Sequence, residues 1–399
     1  MRCNCLTGIL IIPIILILFF VSCQRPKKSE INFEVSIDSV ILEKWTGDPA
    51  CVKFLELDAS MYVYLLNSST DEIYRQQIKP DKNSKPEIIA MPSQLRENQI
   101  TGFQQASSLL PLNSDSIVIA QKNDDFSYLL SLLVVSTGNI DTLCLLKTDN
   151  RIFFEQMPDD GINWKYDKNS GKIFLGIVRQ DNYGLRTYDL DTEMMATIDV
   201  NTGDFTILPL KYPRNYKEKY LSNFGRSEYF CINDSLVILT LAMHDTALVY
   251  NMESGIIENK LLATKQERKF LLLSSTDFKE NNSDKVRDFS LRTFRYLSVV
   301  YNPYTHKYYR FYELFMPEKN DKGLYNIWLD KQFGFTCYDE NFNYLGDFVI
   351  GNKGMTNISF LGNSVATESG LLVFLNFNQT NGKITKNNVL RLMRINDGN

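Results

Sequence analysis

The sequence predicts an all-β chain: a β-propeller of about six blades, seven being the other count its spacing allows, behind an N-terminal lipoprotein signal peptide. Three observations point there. Aromatic residues are abundant, with 21 Tyr and 25 Phe, and most apolar runs are short, β-branched or aromatic, and bounded by Asn, Asp, Gly or Ser, as strands and turns are. The runs recur at roughly 60-residue intervals, a long period for a propeller blade and one that implies inserted loops. No composition break separates the recurrences, so they read as stacked units rather than as sandwiches or two separate β domains.

The first element is a signal. Arg2 precedes an apolar stretch, Leu6 to Val21, that reads LTGILIIPIILILFFV. A spanning helix needs about 20 apolar residues, and Pro13 in mid-stretch disfavours a straight one. A basic start followed by a short apolar run is instead the pattern of a secretion signal. Ser22-Cys23 directly after it resembles the lipobox of bacterial lipoproteins, with Phe20 where Leu is usual. That resemblance implies cleavage after residue 22 and lipidation of Cys23, with palmitate-type chains. Two or more chains hold a protein on a membrane, at about 0.8 kcal/mol per buried CH₂. Gln24 replaces the Asp that retains enterobacterial lipoproteins at the inner membrane, which points to the outer membrane. Arg25, Lys27 and Lys28 stand where surface-exported lipoproteins carry acids, which favours the periplasmic side over the cell surface. The expected organisation is therefore a signal over 1–22, a tether over 23–32 and a propeller over 33–399.

Charge and cysteine content narrow the partners. Loss of residues 1–22 removes one basic residue, Arg2, and takes the net charge from −4 to −5. An acidic chain of this kind is a poor nucleic-acid binder. Beyond Cys23 there are Cys51, Cys144, Cys231 and Cys337, widely spaced. They allow two disulfides in an oxidising compartment, but three sit inside apolar strand-like runs and read as free, buried, small hydrophobes.

The strands repeat one local design. In NSDSIVIAQ (113–121) and INDSLVILT (232–240) an Asp-Ser pair leads into an apolar strand, the Asp side chain bonding its own backbone in an Asx-turn. SGKIFLGIV (170–178) and FRYLSVVY (294–301) are further strands, giving unit starts near 116, 172, 235 and 295. Each unit continues into a hairpin whose turn carries Gly, around Gly138, Gly203 and Gly255, where a positive φ is needed. Inserted loops are expected at 79–88, 211–220, 277–288 and 317–323, and a helix at 258–273.

Three segments carry a wider resemblance. YLSVVYNPYTHKYYRFYEL (296–314), FTCYDENFNYLGDF (335–348) and ITGFQQASSLLPLNSDSIVIA (100–120) resemble segments of a Bacteroidetes lipoprotein family known as domain of unknown function 4221. Asn302 stands where that family usually has Asp, and Thr305-His306 where it has basic residues. The resemblance implies a propeller-like fold in the cell envelope and no known activity.

Chemical signatures are sparse. The chain has two histidines, His244 and His306, and no H-E-x-x-H, G-x-S-x-G, P-loop or G-x-G-x-x-G. No catalytic residue, metal ligand or cofactor is assigned. His244-Asp245-Thr246 reads first as an exposed loop. The segment from Lys260 to Arg295 holds nine basic and five acidic residues and reads as a solvated insertion, with an anionic partner as the alternative. The one candidate binding set is Tyr308, Arg310 and Tyr312, which share a strand face. An Arg between two tyrosines can grip a carboxylate or a sugar; the competing reading is packing between blades, Arg stacked on Tyr. The functional expectation is a membrane-tethered, non-enzymatic propeller that binds an envelope protein or a glycan. A propeller glycoside hydrolase or polysaccharide lyase, and a structural subunit of an outer-membrane assembly, are its rivals.

Overall fold

The computed structural model describes residues 33–42, 49–57, 60–67, 72–78, 87–90, 103–123, 127–146, 152–154, 156–157, 161–182, 185–188, 191, 193–213, 228–271, 288–289, 291–326, 330–351, 364–377 and 388–397. Cys23 and the whole signal and tether lie outside them. So do most of the expected insertions; of 317–323, by contrast, every residue is described.

The described strands form a six-bladed propeller. β1 (Phe33–Leu42) is held for the last blade. Blade 1 is β2 (Pro49–Leu57), β3 (Ser60–Asn67), β4 (Ile73–Ile78) and β5 (Glu87–Ala90). Blade 2 is β6 (Phe103–Pro111), β7 (Ser116–Asn123), β8 (Tyr128–Val134) and β9 (Asn139–Leu146). Blade 3 carries additions: β10 (Ile152–Phe154), then β11 (Gln156–Met157) paired with β12 (Gly161–Ile162), then β13 (Trp164–Asp167), the long β14 (Lys172–Asn182), β15 (Leu185–Tyr188), β16 (Glu193–Asp199) and β17 (Phe205–Lys211). Blade 4 is β18 (Glu228–Asn233), β19 (Leu236–Leu241), β20 (Thr246–Asn251) and β21 (Ile257–Leu261). Blade 5 is β22 (Arg295–Asn302), β23 (Lys307–Glu313), β24 (Phe333–Asp339) and β25 (Tyr344–Gly351). Blade 6 is β26 (Ser364–Thr367), β27 (Gly370–Phe377), β28 (Asn388–Asp397) and, as its outermost strand, β1.

The ring is thus closed by the first and last described strands. β1 pairs antiparallel with β28 from Phe33↔Asp397 to Leu42↔Asn388. The first strands of the blades neighbour one another around the centre, β26 beside β2 and β22 beside both β18 and β26. Second strands begin at residues 60, 116, 172, 236, 307 and 370, so the spacing is 56, 56, 64, 71 and 63. The sequence period is correct and its phase is not. The starts near 116, 172 and 235 are second strands, whereas 295 opens a blade. The expected helix at 258–273 is also corrected: 257–261 is the edge strand β21 and 262–271 is an irregular strap.

The core lies between the blades, as period-two side-chain alternation dictates. On β7, Ile117 and Ile119 pack towards blade 1 while Val118 and Ala120 pack towards blade 3. On β19, Val237 and Leu239 face blade 3 and Ile238 faces blade 5. Middle strands are buried on both faces and read as unbroken apolar runs. Each fully buried aliphatic side chain contributes about 1.5–3 kcal/mol. Cys51, Cys144, Cys231 and Cys337 form no disulfide; burial pushes the Cys231 thiol up to about 12, so it acts as a hydrophobe.

Five turns repeat one hydrogen-bonding device: Asp167, Asp199, Asn251, Asn302 and Asp339 each accept, through Oδ1, the N–H two residues on. The left-handed position at these turns is Gly171, Gly203 or Gly255, or the strained His306 and Phe342. Asn302 also explains its departure from Asp: its amide donates to the carbonyls of Thr367 (2.9 Å) and Gly370 (2.6 Å), which a carboxylate cannot do.

Gly370 marks the tightest point of closure. Its φ is +144°, and a Cβ there would lie 1.9 Å from the Ile395 carbonyl oxygen on β28. Gly370→Ala is expected to cost about 3 kcal/mol, from backbone strain and lost ladder pairing. A lowered urea midpoint measures it; an unchanged midpoint would mean that β27 and β28 do not approach this closely.

Candidate functional site

The connections split between two faces. Turns from first to second strand and from third to fourth lie on one, the hairpin face. The strand ends that lead from second to third strand and from one blade to the next lie on the other, the crossover face. Among the described residues a polar cluster lies on the crossover side of the seam between blades 4 and 5, and the candidate triplet is at its heart.

Tyr308, Arg310 and Tyr312 are each 0% exposed. They point from β23 towards blade 4, while Tyr309 and Phe311 pack towards blade 6. The Arg310 guanidinium donates to four backbone carbonyls of blade 4 and its flanks. Nη1 reaches Leu262 O (2.6 Å) and Asp245 O (3.2 Å), and Nη2 reaches His244 O (2.6 Å) and Leu241 O (3.1 Å). Its carbon lies 3.4 Å from the centre of the Tyr296 ring. Burial lowers the Arg310 pKa, with nearby Tyr296, Tyr338 and Asp245 opposing that effect. Tyr308 Oη accepts from Asn233 Nδ2 at 2.6 Å, again across the seam. Tyr312 lies against Gly334, where a Cβ would come within 2.8 Å of its hydroxyl. With every side chain of the triplet enclosed, the ligand-grip reading is replaced by the packing one: Arg310 fastens blade 5 to blade 4.

Around this staple sits a polar rim that sequence inspection missed. Asp245 accepts from Tyr296 Oη (2.6 Å) and pairs with Arg268 of the strap (2.5 Å). Asp347 on β25 accepts from Thr264 Oγ1 (2.8 Å), from the Lys265 N–H (2.6 Å) and from Thr336 Oγ1. Lys265 Nζ lies 4.1 Å from the Tyr344 ring centre. His244 is half-buried rather than an exposed loop residue; Nδ1 accepts the Thr246 N–H at 3.0 Å, and burial lowers its pKa. These residues come from segments about 20 to 100 positions apart, so no local motif announces them.

A second cluster lies at the same end of blade 5. Glu313 Oε1 accepts from Arg295 Nε (2.5 Å) and Lys331 Nζ (2.9 Å), and Lys331 also donates to Thr293 O (2.8 Å). Burial raises the Glu313 pKa, but the two cations more than offset it and keep it ionised, below its ordinary value. Burial pulls Lys331 down to about 8. Among the described residues no group of three or more His, Cys, Asp or Glu is placed to hold a metal ion.

A ring of six antiparallel blades, five four-stranded and one six-stranded, completed by the strand at residues 33–42, defines the class: this is a six-bladed β-propeller. Residues 163–347 match the model of a family described as "Domain of unknown function (DUF4221)". That match runs from the inner strand of blade 3 to the outer strand of blade 5 and contains the whole blade 4–5 seam. A crystal structure of a member of the same family from Bacteroides vulgatus is similar over 93% of this chain and 100% of its own, with a TM-score of 0.63 and 17% identity. Lower similarity links the chain to a calcium-binding regucalcin from Agrobacterium tumefaciens (91% and 96% covered, TM-score 0.42, 12% identity). An oligogalacturonate lyase in complex with manganese is similar at the same coverage (TM-score 0.44, 10% identity). No curated protein matches the sequence.

Proposed function

We propose that this protein is an envelope lipoprotein, anchored by lipidated Cys23 at the periplasmic side of the outer membrane, whose propeller binds a protein or glycan without transforming it. The observation that carries the reading is the apolar run ending in Ser22-Cys23, followed ten residues later by Phe33, the first residue of β1. Anchor and propeller are then joined by a tether only long enough to hold the ring beside a bilayer. The seam supports the binding half of the reading. Its buried Arg and Tyr groups are spent on holding blades together, so recognition falls to the exposed loops of a rigid scaffold.

Radiolabelled palmitate is expected to label the wild type and not Cys23→Ala, and Cys23→Ala is expected in the soluble fraction. Equal labelling of the two rules out the anchor. Crosslinked pull-down from native membranes with the C-terminally tagged protein is expected to return a stoichiometric envelope partner or a glycan. Turnover of a polysaccharide by the purified protein would replace binding with catalysis.

A further inference from the structure

We propose that the propeller sits on the membrane with its hairpin face towards the bilayer and its crossover face, with the loops of blades 4 and 5, directed away from it. The inference rests on the anchoring of Cys23 proposed above. Strand direction places the attachment point. β26 runs from the crossover face to the hairpin face, β27 returns, β28 descends again and β1 ascends. Phe33, at the start of β1, therefore lies beside the Glu368-Ser369 turn on the hairpin face, while Leu42 reaches the crossover face.

Chain length then decides between orientations. From Cys23 to Phe33 there are ten residue steps, which span at most about 35 Å when fully extended. Climbing the outer edge of blade 6 from Phe33 to Leu42 takes nine strand steps, or about 30 Å. A lipid anchor carried to the crossover face would use almost the whole tether on that climb. About 5 Å would remain, too little to bring that face flat against the headgroups. On the hairpin face the tether starts at the surface it must reach. Arg25, Lys27 and Lys28 sit within five residues of the anchor, and each basic residue near anionic headgroups adds about 1 kcal/mol.

The face held outward carries an ordered apolar tip. Residues 316–326 form a loop in which Asn320 Oδ1 accepts the N–H groups of Lys322 and Leu324, both at 3.0 Å. Leu324 and Tyr325 at its tip are 62% and 58% exposed. In this orientation that tip meets the periplasm rather than lipid.

The test uses the lipidated full chain with Cys144→Ser, which leaves the buried Cys51, Cys231 and Cys337. A fluorophore is placed at Glu340→Cys on the hairpin face, or at Lys322→Cys on the crossover face of the same blade. Each protein is reconstituted on phosphatidylethanolamine–phosphatidylglycerol vesicles with nitroxide-headgroup lipid. Quenching at position 340 is expected to exceed that at 322 several-fold. Equal or reversed quenching on vesicle-bound protein overturns the orientation alone. Protein that stays off the vesicles, with neither dye quenched, overturns the anchor and the orientation together.

Discussion

Arg310→Ala is expected to leave little folded protein. The substitution strips the donors from four buried or half-buried carbonyls, at Leu241, His244, Asp245 and Leu262, and removes a cation stacked on Tyr296. Hydrogen bonds from a charged donor contribute about 1.5–3 kcal/mol each, and a desolvated cation–π contact about 2 kcal/mol. Alanine also leaves a cavity between blades. A total loss of about 5 kcal/mol or more is comparable with the whole stability of a typical domain, about 5–15 kcal/mol. Arg310→Lys keeps the charge but offers a compact point donor in place of a planar fork. It is expected to recover less than half of the loss. Urea denaturation of the soluble fraction of each variant checks this. Wild-type midpoints in both would mean that the guanidinium does not bridge the blades.

Alkaline pH is expected to unfold the protein steeply, and the cause lies in the same seam. Burial is the largest cause raising Tyr296, whose hydroxyl also donates to the Asp245 carboxylate, and it brings that phenol up to about 12. Burial likewise raises Tyr308, Tyr312 and Tyr338. A phenol whose pKa is raised on folding stabilises the fold fully below its unfolded value near 10, and that stability is lost as pH climbs through the folded value. For Tyr296 alone this corresponds to about 3 kcal/mol, and the other three add in the same direction. Lys331 works the opposite way. Its folded value near 8 lies below the ordinary 10.5, so the unfolded chain binds more protons between those limits and stability rises with pH there. Urea midpoints are therefore expected to hold or rise slightly from pH 8 to about 10 and then fall sharply. Tyrosine ionisation followed by ultraviolet absorbance should coincide with loss of structure. Ionisation of the whole tyrosine set near pH 10 in an intact fold would contradict the enclosed seam.

Part of this architecture could be read directly from residue order. Ile117 to Ala120 and Val237 to Leu239 read as strands because short, β-branched apolar runs opened by an Asp-Ser turn suit a strand buried on both faces. Gly138, Gly203 and Gly255 mark hairpins because only a residue free of Cβ strain takes a positive φ without cost, and all three have it. Asp167, Asp199, Asn251, Asn302 and Asp339 bond within two residues, so they too are local, whereas Asp115 reaches Ser136 across blade 2. The helix expected at 258–273 failed for the complementary reason. Glu258 to Leu261 pairs with Thr246 to Val249 on β20, and a ladder with a distant strand outweighs local helix propensity.

The sequence by itself determined most of the strands and their turns, because these follow from contacts within a few residues. Only the tertiary structure decided that β1 completes blade 6, which strand opens each blade, and that Arg310 is a staple between blades rather than a ligand grip. Its four acceptors lie 48 to 69 residues away in the chain. Nothing local to HKYYRFYE records whether the next blade or open water will meet that guanidinium.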